Sequence, residues 1–166
     1  MASAAPTVVV WVTEGTWPAC IDAVRAWAPE DAEIVLLHVH GSEIAAAHGA
    51  FAGLLGRGRR SRDPERSFDA LVESSAAELL DRAAERLGRP TALVHHSGRL
   101  EREVVKAADG ADLLICARDG DRSRLGPRSL GPDTRFVVDH APCPVLLVWP
   151  ESAPDVGSIP PPPPPG

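Results

Sequence analysis

DLLICARDGDRSRLGPRSLGPDTRFVVDHAPCPVLLVW, residues 112–149, contains two apolar runs, DLLICA (Asp112–Ala117) and PVLLVW (Pro144–Trp149). A glycine-punctuated loop and a short helical pattern separate them. The runs carry little polar alternation, the mark of strands covered on both faces in a parallel sheet. The segment after Gly131 presents Phe136 and Val137 at helical spacing. Strand, crossover helix and strand together form the repeat of an α/β domain.

The same alternation extends toward the N-terminus. TVVVWVT (Thr7–Thr13), EIVLLHV (Glu33–Val39) and TALVHH (Thr91–His96) read as three further strands. Trp17, Cys20, Ile21, Val24, Trp27 and Ala28 form one helical stripe, with Pro18 tolerated in its first turn. Phe68, Leu71, Val72, Ala76, Leu79, Leu80, Ala83 and Leu87 form a second, with Asp63-Pro64 as its cap and Gly88 as its stop. Leu100, Val104, Val105 and Ala108 form a third, closed by Gly110. These patterns predict a single doubly wound domain over residues 1–150, a five-stranded parallel sheet with helices on both faces. Residues 151–166 end in the proline run Pro160–Pro165 and read as a disordered, Pro-rich tail.

The 166-residue chain is long enough to bury a core. Its net charge of -6 argues against general nucleic-acid binding. No apolar run approaches the ~20 residues of a membrane span. MASAAPT lacks the charged and apolar regions of a secretion signal, so a cytoplasmic protein is expected. Cys20, Cys116 and Cys143 lack CxxC spacing and read as reduced thiols in or beside buried elements. Arg57, Arg59, Arg60, Arg62 and Arg66 read as a solvated cluster that leaves the ligand edge of the sheet.

Ligands of doubly wound sheets bind beyond the carboxyl ends of the strands, where strand order reverses. Thr13, Glu14, Gly15, Val39, Arg118, Gly120, Arg122, Arg124, Gly126, Gly131 and Thr134 fall there and form the candidate nucleotide crevice. No catalytic constellation is present: neither a GxSxG elbow nor HExxH, and no cysteine with a visible partner base. GPRSLG has the glycine spacing of a Walker A loop, but Pro-Asp follows where Lys-Ser/Thr is required. A receiver-type acidic pair is missing after the first strand, and a flavin site would want aromatics in a chain that has no tyrosine. His38, His40, His95 and His96 cluster at strand ends, yet such histidines are more often packing residues than metal ligands. No metal is expected.

From Val8 to Trp149 the chain resembles the universal stress proteins. GPDTRFVVDHAPCPVLLVW carries most of the likeness, with LLHV on the second strand and GRLEREVVKAADGADLLICA before the loop. The resemblance implies the five-stranded fold, frequent dimerisation, and ATP binding in some members only. In those members an aspartate ending the first strand holds adenosine. Their phosphate loop reads glycine, two residues, glycine, nine residues, glycine, then Ser or Thr. Anchored on Gly131, the earlier glycine slots hold Arg118 and Asp121, with Gly120 one residue out of register. Pro132 fills the Ser/Thr slot, and Thr13 the aspartate slot with Glu14 beside it.

Pro132 supplies no N–H to a phosphate, and Asp133 puts a carboxylate at the positive end of the helix. The arginines at 118, 122, 124 and 128 pull the other way, because guanidinium groups clasp phosphate. The expected function is therefore ligand or partner binding without catalysis, with ATP a candidate cofactor that the loop disfavours. The alternative is a nucleotide-binding member with an altered loop. A homodimer through the Pro144–Trp149 strand and a protein partner are the expected associations.

Overall fold

In the computed structural model, which describes residues 4–42 and 64–165, all five strands form one parallel sheet. They are β1 (Thr7–Trp11), β2 (Glu33–Gly41), β3 (Ala92–Gly98), β4 (Leu113–Ala117) and β5 (Val145–Val148). The helices are α1 (Trp17–Trp27), α2 (Pro64–Leu87), α3 (Leu100–Ala107) and α4 (Pro132–His140). Strand order is β3-β2-β1-β4-β5, so the chain builds outward from β1 in one direction and then returns to its other side. The crevice of a doubly wound fold opens where β1 and β4 part.

The apolar runs make this sheet because both of its faces are covered. Val8, Val10 and Val12 face a core shared with Cys20, Ile21 and Val24 of α1 and Leu79, Leu80 and Ala83 of α2. Val9 and Trp11 face the opposite core, with Val104 of α3 and Val137 of α4. Alternating residues of one strand thus enter two cores, and no polar face remains.

Ionic contacts tie α1 to α2. Arg86 donates to both carboxylate oxygens of Asp22, at 3.0 and 2.8 Å, and this holds the Asp22 carboxyl below its ordinary range. Arg89 donates to the carbonyls of Pro29, Glu30 and Ala32 and pins the turn that leads into β2. Gly88 ends α2 at φ +69°.

The apolar stripes overreach at two places. Trp27 is 73% exposed and Leu71 63% exposed. Trp27 is the last residue of α1. With 24 residues, α2 is about 36 Å long, more than its strands can cover. Its buried side chains accordingly begin at Ala76, and Leu71 lies on the overhang. Asp63 and Arg57 to Arg62 lie outside the described residues; Arg66 is exposed on α2. Beyond β5, a single turn at Val156–Ser158 lies within the stretch read from sequence as a disordered tail. Among the described residues no helix is long and apolar enough to cross a membrane.

Candidate functional site

The loop between β4 and α4 forms the rim of the crevice, and it folds back on itself. The Gly120 N–H donates to the Ser129 carbonyl (2.9 Å) and the Asp121 N–H to the Arg128 carbonyl (2.8 Å). Ser129 and Leu130 N–H groups donate to Gly126 and Pro127 carbonyls. Such close pairing needs Gly120: a Cβ there would run into the Arg128 carbonyl oxygen and the Ser129 and Leu130 carbonyl carbons.

Side chains answer more of the loop's amides. Asp121 accepts from the Ser123 N–H at 3.0 Å and the Ser123 hydroxyl at 2.6 Å, which lowers its carboxyl pKa. Asp119 accepts from the Gly131 N–H at 2.7 Å, at the start of α4. The Leu125 N–H donates to the Ser158 hydroxyl at 3.0 Å. A phosphate cradle needs amides that converge unpaired on one point. Here Gly120, Asp121, Ser123, Leu125, Ser129, Leu130 and Gly131 all donate within the chain.

The candidate residues divide along the same line. Arg118 donates from Nη1 to the Ser129 hydroxyl, and its guanidinium lies over the Trp149 ring at 4.5 Å. Its Nε–H is buried without an acceptor among the described residues. Arg122 pairs with Glu151 at 3.1 Å, and Arg124 is exposed. Gly126 turns the loop at φ +136°. Thr134 is fully buried, so its hydroxyl stands inside the fold rather than at the crevice mouth.

At the β1 end, the Thr13 carbonyl accepts from the Thr16 and Trp17 N–H groups and starts α1. Glu14 is exposed beyond it and pairs with Arg82 of α2 at 3.1 Å. Gly15, after Glu14, turns the chain into α1 at φ +83°. Val39 is a core residue beside Trp11. The loop thus groups Arg118, Gly120, Gly126 and Gly131 around Ser129, whereas Glu14 is drawn away by α2 and Val39 and Thr134 are packed inside.

A cleft of about 260 Å³ opens where α3 and α4 begin, lined by Gly41, Ser42, Gly98, Arg99, Leu100, Glu101 and Asp133. Its one cation, Arg99, is already paired with the buried Glu101 at 3.1 Å. With Asp133 on the same wall, the cleft is unfavourable for a polyphosphate.

The strand-end histidines satisfy one another. His40 Nδ1 and His95 Nε2 share a hydrogen bond at 2.9 Å, His38 Nδ1 donates to the Val12 carbonyl, and the His38 and His95 rings stack. Burial first, then His40 and His38, push the His95 pKa down. Among the described residues no group of three or more His, Cys, Asp or Glu is placed to hold a metal.

The sequence model of the universal stress protein family matches residues 8–148. The chain belongs to this family. This universal stress protein has the family's fold. Hypothetical protein MJ0577 shares 20% identity at a TM-score of 0.66, over 89% of this chain and 98% of that one. A universal stress protein in complex with cAMP shares 21% at 0.58, over 90% and 100%. Universal stress protein UspA from Lactobacillus plantarum shares 18% at 0.58, over 89% and 99%. Comparison with curated protein sequences gives no match.

Asp119, Ser129, Glu151 and Ser158 are the residues of this site that sequence reading missed. Asp119 had one available signal: it is an acid two residues beyond a strand that ends at a crevice.

Proposed function

We propose that this universal stress protein works in the cytoplasm by binding a ligand or partner, without catalysis, and has given up ordinary ATP binding. The observation that carries the reading is the Asp119 carboxylate on the Gly131 N–H, where a bound phosphate oxygen would sit. The self-paired amides of Gly120 and Asp121 support it, as do Thr13 in the adenosine-holding slot and Pro132 at the start of α4. A lost charge-assisted hydrogen bond costs about 1.5–3 kcal/mol. Two such losses and one repelling carboxylate raise a micromolar Kd to about millimolar or beyond.

Calorimetry with Mg-ATP is the test. Binding weaker than about millimolar is expected, and saturable binding at micromolar Kd would overturn the reading. Tight binding would favour the other reading, in which arginines of the altered loop hold the phosphates; Arg124→Ala should then weaken it. With its nucleotide role reduced, the protein acts through association, as a homodimer across β5 that offers its surface to a protein partner.

A further inference from the structure

Past β5 the chain turns back across the crevice loop instead of leaving it. The Glu151 carboxylate meets the Arg122 guanidinium at 3.1 Å. Further along, the Ser158 hydroxyl accepts the Leu125 N–H at 3.0 Å. A tight turn places that hydroxyl: Asp155 accepts from the Gly157 N–H at 2.7 Å, and the Ser158 N–H donates to the Asp155 carbonyl. The stretch is therefore fastened to the loop at both ends.

We propose that Glu151 to Ser158 is a strap that occupies the loop's anion contacts and competes with phosphate-bearing ligands for them. A carboxylate on a guanidinium and a hydroxyl oxygen on a backbone N–H are the two kinds of contact that phosphate oxygens make at such a loop. The strap is built to be displaced. Glu151 is largely exposed, and exposed ion pairs bind weakly. Apolar packing adds little, since Val156 in the strap is 72% exposed and Ile159 just after it 55% exposed. Beyond them Pro160 to Pro165 are exposed and have no N–H to pair with the fold. Because strap and anion claim the same groups, each weakens the other by the same factor.

The inference rests on the proposed reading of this loop as an anion crevice closed by the chain's own groups. It is tested on the full chain, with the double variant Glu151→Gln, Ser158→Ala beside the wild type. Inorganic pyrophosphate is the probe, because it offers phosphate oxygens without a base to bind. Calorimetry should give about tenfold tighter pyrophosphate binding in the variant, the release of two weak contacts. Amide exchange at Leu125 should be slow in the wild type and faster in the variant without ligand. Equal pyrophosphate affinity in the two proteins, absence of binding in both, or unchanged Leu125 exchange would each overturn the strap. Micromolar Mg-ATP binding by the wild type would instead overturn the reading beneath it, so the two failures are told apart.

Discussion

The Asp119 carboxylate and the Gly131 N–H, twelve residues apart across the loop, are joined by a 2.7 Å hydrogen bond at the head of α4. The contact gives the helix an N-terminal anion from its own chain, a favourable place for negative charge. It also fixes the width of the loop, because a Cβ on Gly131 would approach the Asp119 carboxylate to 2.9 Å. Asp119→Ala should therefore lower stability by about 0.5–2 kcal/mol in urea denaturation, the usual loss for a helix-start acceptor. Asp119→Asn keeps an acceptor and loses only the charge, so it should cost less. Equal, negligible losses in both variants would mean that the bond contributes nothing.

Gly120 tests the self-pairing of the loop. Its N–H reaches the Ser129 carbonyl, and an added Cβ would meet the backbone of Arg128, Ser129 and Leu130 rather than a side chain that can swing aside. Gly120→Ala should destabilise the fold by about 1–3 kcal/mol through overpacking. A neutral result would show that the 128–130 backbone yields freely.

Much of the fold was legible because buried parallel strands advertise themselves. VVVW and LLICA have no polar face to disguise them, and Gly88 and Gly110 mark turns after α2 and α3 that do adopt positive φ. Periodicity misled at Leu71 and Trp27, because a stripe states which face is apolar and not how far the sheet extends beneath it. The site was less legible. Pro132 shows one donor that the loop lacks, but where its amides turn is decided by folding the loop on itself, as in Gly120 to Ser129, and by contacts twelve and thirty-three residues apart, Asp119 to Gly131 and Leu125 to Ser158.

The histidine cluster predicts a pH dependence that begins above the carboxylate range. His95 is flanked by His38 and His40 of β2 and by His96, which push in the same direction as burial; Glu73 of α2 opposes the shift without reversing it, and Asp69 of α2 lines a cleft with His40 and Glu73. Its folded pKa lies below the unfolded imidazole value of about 6.5. The unfolded chain then takes the proton first, so this stabilisation is complete above about pH 6.5 and is lost as pH falls toward the folded value. His95→Gln should flatten the stability profile between about pH 7.5 and 5.5. Asp22 and Asp121, whose carboxyls are depressed, lose their contributions only at lower pH. Parallel profiles for variant and wild type would refute the assignment to His95.

Thiol chemistry should follow burial. Burial pushes Cys20 and Cys116 up to about 12, and the reactive species is the thiolate. Cys143 is raised as well, but it is only half-buried. At pH 8 an alkylating reagent should modify Cys143 slowly and leave the other two intact until denaturant is added. Mass spectrometry of digested protein reads this directly, and early modification of Cys20 or Cys116 would show that the core opens.

The last prediction concerns β5, which among the described residues pairs only with β4 and so presents an edge. The Leu114 N–H donates to the Pro144 carbonyl and the Arg118 N–H to the Val148 carbonyl. In a parallel ladder this register turns the backbone groups of residues 146 and 148 toward β4 and those of Val145 and Leu147 outward. An apolar edge with outward donors must be covered or it aggregates. A second copy running antiparallel across a two-fold axis would cover it with the same residues from each side. Light scattering at micromolar concentration should therefore give twice the chain mass. Leu147→Lys should yield monomer or precipitate, since it places a charge against both the partner and the core near Val145 and Cys143. Leu147→Pro is the cleaner variant, because it removes an N–H that the β4 ladder does not use, and proline is tolerated on edge strands. It should give folded monomer, with the far-UV circular dichroism of the wild type. A monomeric wild type, or a Leu147→Pro protein that is still dimeric, would rule out this edge as the interface.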